Sequence, residues 1–294
     1  MNRVAAVTPL VVETAAGPVE VAETGRGPAV LVVHGTPGDW SQARGLALDL
    51  ATSHRVLLPS RPGYGRTPLS TGRSPREQAD AHAALLDACG VERAAVVGIS
   101  GGGPSARALA AHHRDRVTHL VLCCAVAEHL VTVSAAARLL GATPGLWEVG
   151  ARVAGRRARR RLLDRRTALA AAVAGLGPAE RSAVDALVEA DLLDFAHHRA
   201  RAMTSVAGLR NDFRWFQAST AADAWPEGPR VPTLVLHGDA DEVVPLSHGR
   251  HHLESVPGAV LEVLPGVGHG FVLSLRRATS ARIAEHLAVR QEET

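Results

Sequence analysis

Short, uninterrupted apolar runs alternate with longer helical patterns through the first half of this 294-residue chain. The run Ala29–Val33 consists almost wholly of Val and Leu, and the runs Ala94–Ile99 and Val117–Cys124 repeat this character farther along. Runs of this kind, separated by helical segments, are typical of parallel strands that are buried on both faces. The alternation therefore predicts an α/β fold in which helices flank a mostly parallel sheet.

The same reasoning places further elements along the chain. Ser74 followed by Pro75 is a start signal for a helix, because Ser caps a helix N-terminus and Pro fits its first position. Further strands are predicted at Leu10–Thr14, Val19–Glu23, Arg55–Leu58, Pro232–His237 and Val260–Leu264. Helices are predicted at Ser74–Cys89, Gly102–His113, Leu246–Ser255 and Phe271–Val289.

Strand signals stop between Glu128 and Trp225, where Ala, Leu and Arg recur at helical spacing. We interpret residues 128–225 as a helical insertion, called the lid below. Residues 1–127 and 226–294 are then the two parts of one α/β core. With 46% hydrophobic residues, the chain is long enough to bury a substantial core.

Three cysteines, Cys89, Cys123 and Cys124, form no disulfide framework, since their number is odd and two are adjacent. This favours the reducing cytoplasm. The N-terminal residues lack the pattern of a secretory signal, and no apolar stretch reaches the length of a membrane span. The sequence therefore predicts a cytoplasmic protein that does not enter a membrane.

The net charge of +3 has a local origin, and all 32 basic residues are arginines. One segment of the lid opposes a single acid, Asp164, with eight arginines: Arg152, Arg156, Arg157, Arg159, Arg160, Arg161, Arg165 and Arg166. The whole basic excess belongs to this segment, so the overall charge does not indicate nucleic-acid binding. The segment is either a solvated helix face or a surface that attracts an anionic or carrier-bound substrate.

The sequence Gly98-Ile99-Ser100-Gly101-Gly102 fits the pattern G-x-S-x-G between a predicted strand and a predicted helix. A sharp turn at this place projects the Ser hydroxyl outward, and only small residues fit beside it. The start of the next helix offers free N–H groups where an oxyanion could form. Ser100 is therefore the predicted nucleophile. A phosphate-binding turn is the alternative, but the Lys of a P-loop is missing.

A serine nucleophile needs a histidine base oriented by a carboxylate. Asp241 follows a late predicted strand, and His269 lies in a Gly-rich loop after the last one. The order Ser, Asp, His is the one associated with this serine motif. His269 is singled out from 15 histidines by its position, and we expect the paired ones, His197-His198 and His251-His252 among them, at the surface. No zinc-binding spacing occurs, and neither a metal nor a cofactor is expected.

With these motifs, the chain resembles the α/β-hydrolase superfamily, specifically its serine hydrolases with a helical lid. The resemblance covers about Val4–Ala127 and Trp225–Val289. It implies an eight-stranded, mostly parallel sheet, and it selects Asp241 over Asp239 as the triad acid. Glu128 stands where some members carry that acid, but a surface position is the better interpretation of it. Proline iminopeptidases share the lid and the H-G-x-P-G loop at His34–Gly38.

In this family, the oxyanion hole consists of two backbone N–H groups, which the resemblance places at Thr36 and Gly101. His34 is expected to brace the Thr36 loop. Ser60 stands where the family usually has Asp, a departure that concerns loop geometry. Trp40 follows the oxyanion loop and is predicted to contact substrate. The lid concentrates large apolar side chains that could form a hydrophobic pocket or pack onto the core, namely Trp147, Phe195, Met203, Phe213, Trp215 and Phe216.

These residues predict a serine hydrolase that cleaves a carboxylic ester, thioester or lactone through an acyl-enzyme, without a cofactor. Its expected partner is a small molecule with a hydrophobic portion; the oligomeric state is left open. The same triad also serves C–C bond hydrolases, cofactor-free haloperoxidases, acyltransferases and cyclases. Aminopeptidase activity would need lid carboxylates, for which Glu189, Asp191 and Asp194 are candidates. A non-catalytic ligand-binding receptor with a hydrolase fold is the alternative from another functional class.

Overall fold

The computed structural model describes residues 7–127, 144–161, 164, 166–167, 170, 176–183, 198, 205–218 and 229–289. Its strands are β1 (Leu10–Thr14), β2 (Gly17–Gly25), β3 (Ala29–Val33), β4 (Arg55–Pro59), β5 (Ala94–Ile99), β6 (Val117–Cys123), β7 (Thr233–Gly238) and β8 (Ala259–Leu264). Its core helices are α1 (Arg44–Leu50), α2 (Pro75–Ala88), α3 (Gly103–His112), α7 (Leu246–Ser255), α8 (Phe271–Ser274) and α9 (Arg276–Leu287), and its lid helices are α4 (Pro144–Arg161), α5 (Pro178–Ala183) and α6 (Val206–Ala218). Short 3₁₀ turns cover Leu69–Thr71, Ser100–Gly102 and Arg114–Arg116.

The strands form one eight-stranded sheet in the order β1-β2-β4-β3-β5-β6-β7-β8. The pairs β1–β2 and β2–β4 are antiparallel, and every pair from β4 to β8 is parallel. The predicted α/β class and the eight-stranded, mostly parallel sheet are therefore confirmed. Because the parallel strands share one direction, the loops after β3, β5, β7 and β8 emerge at the same edge of the sheet.

Both faces of the sheet are covered by helices, as the apolar runs require. In β3, Leu31 and Val33 face a core that contains α2 and α3 side chains, whereas Val30 and Val32 face a second core against α1, α8 and α9. All four side chains are essentially inaccessible to solvent. Alternate residues of one strand thus anchor two separate layers, which makes the centre of the sheet a rigid platform.

The structure differs from the sequence-based expectations at two helices. Helix α1 was not predicted, since it has only seven residues and its N-cap, Ala43, makes no side-chain capping bond. The predicted helix Phe271–Val289 is wrong as a continuous element, because it divides at Leu275 into α8 and α9. The hydroxyl of Ser274, which donates mainly to the Glu180 carboxylate, also lies 3.2 Å from the carbonyl oxygen of Gly270, and a contact of this kind bends helices.

Residues 128–225 lie between β6 and β7, and their described parts are predominantly helical. The predicted division into residues 1–127, 128–225 and 226–294 stays a prediction, because much of the lid lies outside the described residues. None of the described helices is long and apolar enough to cross a membrane. The longest of them, α4, has 18 residues and carries most of the arginine segment on its exposed surface.

The start of α2 offers a test of the predicted capping signal. The Ser74 hydroxyl accepts the Glu77 N–H at 3.1 Å, and the Glu77 carboxylate accepts the Ser74 N–H at 2.9 Å. Replacing Ser74 by Ala should lower the free energy of unfolding by about 1 kcal/mol. Urea unfolding measures this change, with the exposed Ser70→Ala as matched control. Equal midpoints for both variants would show that the capping box contributes nothing.

Candidate active site

Ser100 lies at the carboxyl end of β5, where the strand turns into a 3₁₀ turn and then α3. Its φ angle is 49°, in the left-handed region that residues with a side chain rarely adopt. A strained conformation of this kind persists only where its surroundings impose it. Ser100 therefore occupies the sharp strand-to-helix turn that the motif predicts.

Close packing at the neighbouring glycines explains how this turn is imposed. A Cβ atom on Gly98 would lie 2.6 Å from the Cβ of Ala106 in α3. A Cβ on Gly102 would lie 2.5 Å from the carbonyl oxygens of Val33 and His34. Real Cβ atoms do not approach other atoms so closely, so only glycine allows β5, α3 and the end of β3 to meet here.

The structure brings the predicted triad residues together. His269, in the loop after β8, has its Nε2 atom 3.0 Å from the Oγ of Ser100 and its Nδ1 atom 2.7 Å from the Oδ2 of Asp241. Asp241, in the loop after β7, also accepts the backbone N–H groups of Val243 and Val244, both at 2.9 Å. Its carboxylate is fully buried, so it holds both the imidazole and its own loop.

These contacts define what the site can do chemically. A carboxylate only accepts hydrogen bonds, so Asp241 favours the imidazole tautomer with its proton on Nδ1. The Nε2 atom of His269 then presents its lone pair to the Ser100 hydroxyl. This arrangement can remove the hydroxyl proton as the oxygen attacks an electrophile.

Two neighbouring residues stabilise the triad loops. His237 Nε2 lies 2.8 Å from the Val244 carbonyl, and burial lowers the pKa of this histidine, which keeps it neutral near Asp241. Asp239 accepts the N–H of Gly266 at 2.6 Å and so ties the loop after β7 to the loop after β8. Asp239 thus has the structural contacts expected of a loop-stabilising residue.

Thr36 and Gly101, the predicted oxyanion-hole residues, lie side by side. A Cβ on Gly101 would overlap the Oγ1 of Thr36, at 2.2 Å. Gln42 holds the Thr36 loop from both sides, since its side chain accepts the Gly35 N–H and donates to the Pro37 carbonyl at 3.0 Å. Sequence analysis missed Gln42, because a glutamine in a loop carries no motif of its own.

His34 braces this loop from within the core. Its Nε2 accepts the N–H of Arg61 at 2.8 Å, so its Nδ1 carries the proton and donates to the Gly35 carbonyl at 2.7 Å. Burial, and then the charge of Arg61, lower the pKa of His34 well below its ordinary value. The ring stays neutral and serves as a fixed link between two loops.

The unusual Ser60 is supported by a carboxylate from elsewhere in the chain. Its hydroxyl donates to Glu20 of β2 at 2.7 Å and accepts the N–H of Trp40 at 3.1 Å. Glu20 is buried and also accepts the side chain of Arg66 at 2.6 Å. A negative charge is therefore present beside this turn, although residue 60 does not supply it.

A buried ion pair joins the lid to the core beside the loop that contains Thr36. Arg61 donates to both carboxylate oxygens of Asp212 in α6, at 3.0 and 2.6 Å. Burial alone would lower the pKa of Arg61, but Asp212 outweighs this effect and the pKa is raised. Burial and the charge of Asp212 raise the pKa of Tyr64 well above its usual value, so its hydroxyl stays protonated and donates to Asp212 at 2.7 Å. Sequence analysis missed this network, because its members are far apart in the chain.

A cavity of about 180 Å³ opens beside Ser100 and His269. Apolar side chains form most of its wall, and Gln42 and Arg276 contribute polar groups. The lining residues are Thr36, Pro37, Gln42, Ala43, Gly45, Leu46, Ile99, Ser100, Cys124, Leu176, Val243, His269, Gly270, Val272, Leu273 and Arg276. Of these, Leu176 belongs to the lid.

The predicted substrate-binding residues occupy other places among the described residues. Trp40 packs against the core cluster around α1. Trp215 and Phe216 line a second space of about 20 Å³ that also contacts Gly101. Phe213 is 38% exposed and meets Phe216 edge to face at 6.3 Å. Trp215 and Phe216 of α6 therefore lie near Gly101, and neither lines the larger cavity.

Some sequence-based expectations fall outside the described residues. They include Glu128 and the side chains of Trp147, Phe195 and Met203. The expectation of surface positions was wrong for His198 and His252, which are 2% and 0% exposed. His252 is enclosed by helix packing near Arg107, and His198 lies 2.7 Å from the Ser41 hydroxyl. Adjacent histidines point in different directions on a helix, so one of a pair can be buried.

Cys124, Asp241 and His269 form the one group of three close metal-ligating side chains within the described segments. Their ligand atoms all lie within 4.8 Å of one another. The Asp241 and His269 atoms are already hydrogen-bonded to each other, so a metal ion here would take the place of the triad contact. The donor set thus favours proton transfer over metal binding.

The close packing at Gly98 makes a measurable prediction. Gly98→Ala should lower the free energy of unfolding by about 1–3 kcal/mol, because its methyl group would overpack the contact between β5 and α3. Gly150→Ala is the matched control, since nothing lies within 4 Å of the added Cβ. Because Ala is a better helix former than Gly, Gly150→Ala should leave the free energy of unfolding unchanged or raise it by up to about 1 kcal/mol. Chemical denaturation would contradict the packing argument if both variants unfolded at the same midpoint.

Comparisons with known proteins agree with this geometry. The family described as "alpha/beta hydrolase fold" matches residues 28–274. A pimeloyl-[acyl-carrier protein] methyl ester esterase from Chromobacterium violaceum is 32% identical over 90% of this chain and 95% of its own. A 2-hydroxymuconate semialdehyde hydrolase from a Pseudomonas species is 28% identical, over 84% and 82% of the two chains. A solved alpha/beta hydrolase fold protein from Nakamurella multipartita superposes with a TM-score of 0.73 at 31% identity, over 95% and 99% of the chains. The chain therefore belongs to the α/β-hydrolase fold family.

Proposed function

We propose that this protein is a serine hydrolase that cleaves a carboxylic ester, thioester or lactone through a covalent acyl-enzyme. The observation that carries the proposal is the continuous hydrogen-bonded chain Ser100–His269–Asp241, with links of 3.0 and 2.7 Å, at the wall of an apolar cavity. The esterase relative from Chromobacterium violaceum supports the ester class. Ser100 is the nucleophile, His269 the base and acid, and Asp241 the residue that orients the imidazole.

In the first half of the reaction, the Ser100 oxygen attacks the substrate carbonyl carbon while His269 Nε2 takes the hydroxyl proton. Negative charge develops on the carbonyl oxygen, and in this proposal the N–H groups of Thr36 and Gly101 donate hydrogen bonds to it. One such donor is worth about 2.7–4 kcal/mol of transition-state stabilisation. His269 then gives its proton to the leaving oxygen or sulfur, and the C–O or C–S bond breaks.

In the second half, water replaces the leaving group. His269 takes a proton from the water as its oxygen attacks the acyl carbon, and the same two N–H groups hold the second oxyanion. The bond to Ser100 breaks, and His269 returns the proton to the serine oxygen. The product acid leaves, and the site is restored without a cofactor or metal.

The cavity supports a preference for a short, mostly apolar substrate group. Its volume of about 180 Å³ lies below the ~300–1,000 Å³ of sites for larger ligands. Arg276 at the wall is paired with Asp49 at 2.9 Å, which reduces its attraction for a free anion. Trp40, Phe213, Trp215 and Phe216 remain proposed contacts for the part of the substrate outside this cavity.

The proposed partner is a small molecule. Arginines of α4 are exposed and would attract an anionic or carrier-bound form of it. Their single location on the lid argues against nucleic acid as the partner. The three free cysteines support a cytoplasmic location.

Carbon–carbon bond hydrolysis is a second candidate, because a relative of that kind aligns over most of the chain at 28% identity. The candidates differ in the bond cleaved and share the triad. Comparing kcat/KM for short-chain acyl esters with that for 2-hydroxymuconate semialdehyde separates them. The lid carboxylates considered for an aminopeptidase, Glu189, Asp191 and Asp194, lie outside the described residues.

The principal test is covalent labelling with a fluorophosphonate probe. Wild-type protein should be labelled at Ser100 and should hydrolyse a short-chain ester, since only an activated serine reacts with the probe. Ser100→Ala should lose labelling and reduce kcat on the order of 10⁴-fold or more. The exposed Ser70→Ala should retain both. A wild-type protein that neither labels nor turns over any carbonyl substrate would refute the proposal and favour a non-catalytic receptor.

Cys124 allows a second test, because it lines the cavity but should not react. Burial, together with the charge of Asp241, raises the pKa of its thiol well above the usual value. The thiolate is the reactive form, so at pH 8 the thiol should stay protonated. Iodoacetamide should therefore leave esterase activity unchanged, and all three cysteines should react once guanidinium unfolds the chain. Rapid inactivation of the native protein would point instead to a reactive cysteine.

A further inference from the structure

Two acidic side chains of the lid, Asp212 and Glu180, are buried against the core loops that carry the proposed catalytic groups. Asp212 is 4% exposed and Glu180 is fully buried. A buried carboxylate is strongly unfavourable unless hydrogen-bond donors surround it. The hydrogen-bond donors around each carboxylate therefore show which core loop the lid contacts at that point.

Asp212 is hydrogen-bonded to the loop His34–Gly38, which contains the proposed oxyanion donor Thr36. Besides Arg61 and Tyr64, its Oδ2 accepts a hydrogen bond from the Thr36 hydroxyl. Arg61 donates in turn to the Thr36 hydroxyl oxygen at 2.8 Å and to the Gly35 carbonyl at 3.2 Å. The side chain of Thr36 is thus held between a lid carboxylate and a core guanidinium. The orientation of its backbone N–H depends on this arrangement.

Glu180 is hydrogen-bonded to the loop after β8, which contains His269. Its Oε2 accepts the N–H of Gly268, the residue before His269, at 2.5 Å and the N–H of Gly177 at 2.6 Å. Its Oε1 accepts the hydroxyl of Ser274, at the end of the helix that follows His269. A Cβ on Gly177 would lie 2.5 Å from the Gly268 nitrogen, so this lid turn is packed directly on the loop.

The two carboxylates therefore act on two different loops near Ser100. One is bonded to the loop that supplies an oxyanion donor, and the other to the loop that supplies the base. Each lid carboxylate satisfies its buried charge with donors from the loop, and each loop gains a fixed position from the carboxylate. Docking of the lid onto the core and alignment of the catalytic groups are consequently one coupled event. The buried lid carboxylates and the donors of the two loops complete each other's hydrogen bonds, and neither set does so alone.

We propose that Asp212 and Glu180 are positioning residues through which the seated lid holds Thr36 and His269 in reactive alignment. This inference rests on the proposed serine-hydrolase function. Neither carboxylate contacts the substrate; each acts through a loop. The lid is thereby part of the catalytic apparatus as well as a cover, and substrates that prevent its seating should bind without efficient turnover.

The first experiment compares Asp212→Asn, Glu180→Gln and the control Asp164→Asn. Asp164 is an exposed lid carboxylate whose bonds to Thr167 are local. The fraction of active sites is titrated with the fluorophosphonate, and kcat and KM for a short ester are expressed per titrated site. We expect kcat to fall about 10- to 100-fold in the two buried variants, because each misaligns one catalytic group without removing it. For comparison, loss of a whole oxyanion donor costs ~10²–10³-fold. KM should change less than threefold, and the control should match wild type.

A reversible trifluoromethyl ketone, which forms a tetrahedral adduct with the serine, reports on the oxyanion hole itself. Its inhibition constant should rise in parallel with the fall in kcat for Asp212→Asn. Thr36→Val removes the hydroxyl but keeps the backbone N–H. Combined with Asp212→Asn, it should add little further loss of kcat, since both changes break the same link.

Loss of one partner of a buried pair can prevent folding, so a second variant removes both charges. Arg61→Met with Asp212→Leu replaces the ion pair by apolar groups, a change that buried pairs often tolerate. We expect this double variant to fold, to be labelled stoichiometrically, and to retain the lowered kcat. For Glu180, the Ser274→Ala variant removes a single donor and should lower kcat by a smaller factor.

The outcomes distinguish the inference from the function on which it rests. If wild type turns over and the titrated kcat of both buried variants and of the double variant equals that of wild type, the positioning role is overturned. The carboxylates would then only stabilise the lid, which a lower melting temperature would show. An equal loss in Asp164→Asn would also overturn it. If wild type is neither labelled nor active, the proposed function itself fails.

Discussion

The contact between β5 and α3 at Ser100 determines the geometry of the whole site. Strand and helix approach so closely that a methyl group on Gly98 would collide with Ala106, and one on Gly102 with the end of β3. This packing holds Ser100 at a φ of 49° and places Gly101 against Thr36. The strain of one residue is sustained by a rigid, fully buried sheet, since both faces of β5 are covered by helices. The other groups of the site are arranged around that fixed point.

Buried carboxylates perform the remaining alignment. The loops that carry the candidate catalytic groups lie beyond the ends of strands, outside the hydrogen-bond ladder of the sheet, and directional hydrogen bonds to carboxylates hold them. Asp241 holds the imidazole and its own loop, Asp239 joins that loop to the next, and Glu20 supports the turn at Ser60. Asp212 and Glu180 add equivalent contacts from the lid. Each of these charges is satisfied by donors from the loops, and this is why the loops and their supports form one cooperative structure.

Elements with strong periodicity or clear end signals could be predicted to the residue. Ala29–Val33, Ala94–Ile99 and Leu246–Ser255 have the predicted bounds, and the Ser74 cap lies where its motif indicated. Helix α1 could not be predicted, because seven residues without a capping side chain carry little local signal. The division of the last helix at Leu275 depends on the packing of its two halves and on a hydroxyl bond at Ser274, neither of which is visible in the pattern of apolar residues.

The residues of the candidate site also divide into those with a local sequence signal and those without one. Ser100, Asp241 and His269 were predicted from sequence, since each occupies a short motif at the end of a predicted strand, and the structure brings their side chains within hydrogen-bond distance. Gln42, Arg61, Asp212 and Glu180 were not, because ordinary polar residues acquire a role only through the neighbours that folding provides. The sequence by itself therefore determined the α/β architecture and the order of its reactive groups, through local periodicity and turn chemistry. Only the tertiary structure decided how those groups are held, since the buried carboxylates that hold them are hydrogen-bonded to partners as many as 176 positions away in the chain.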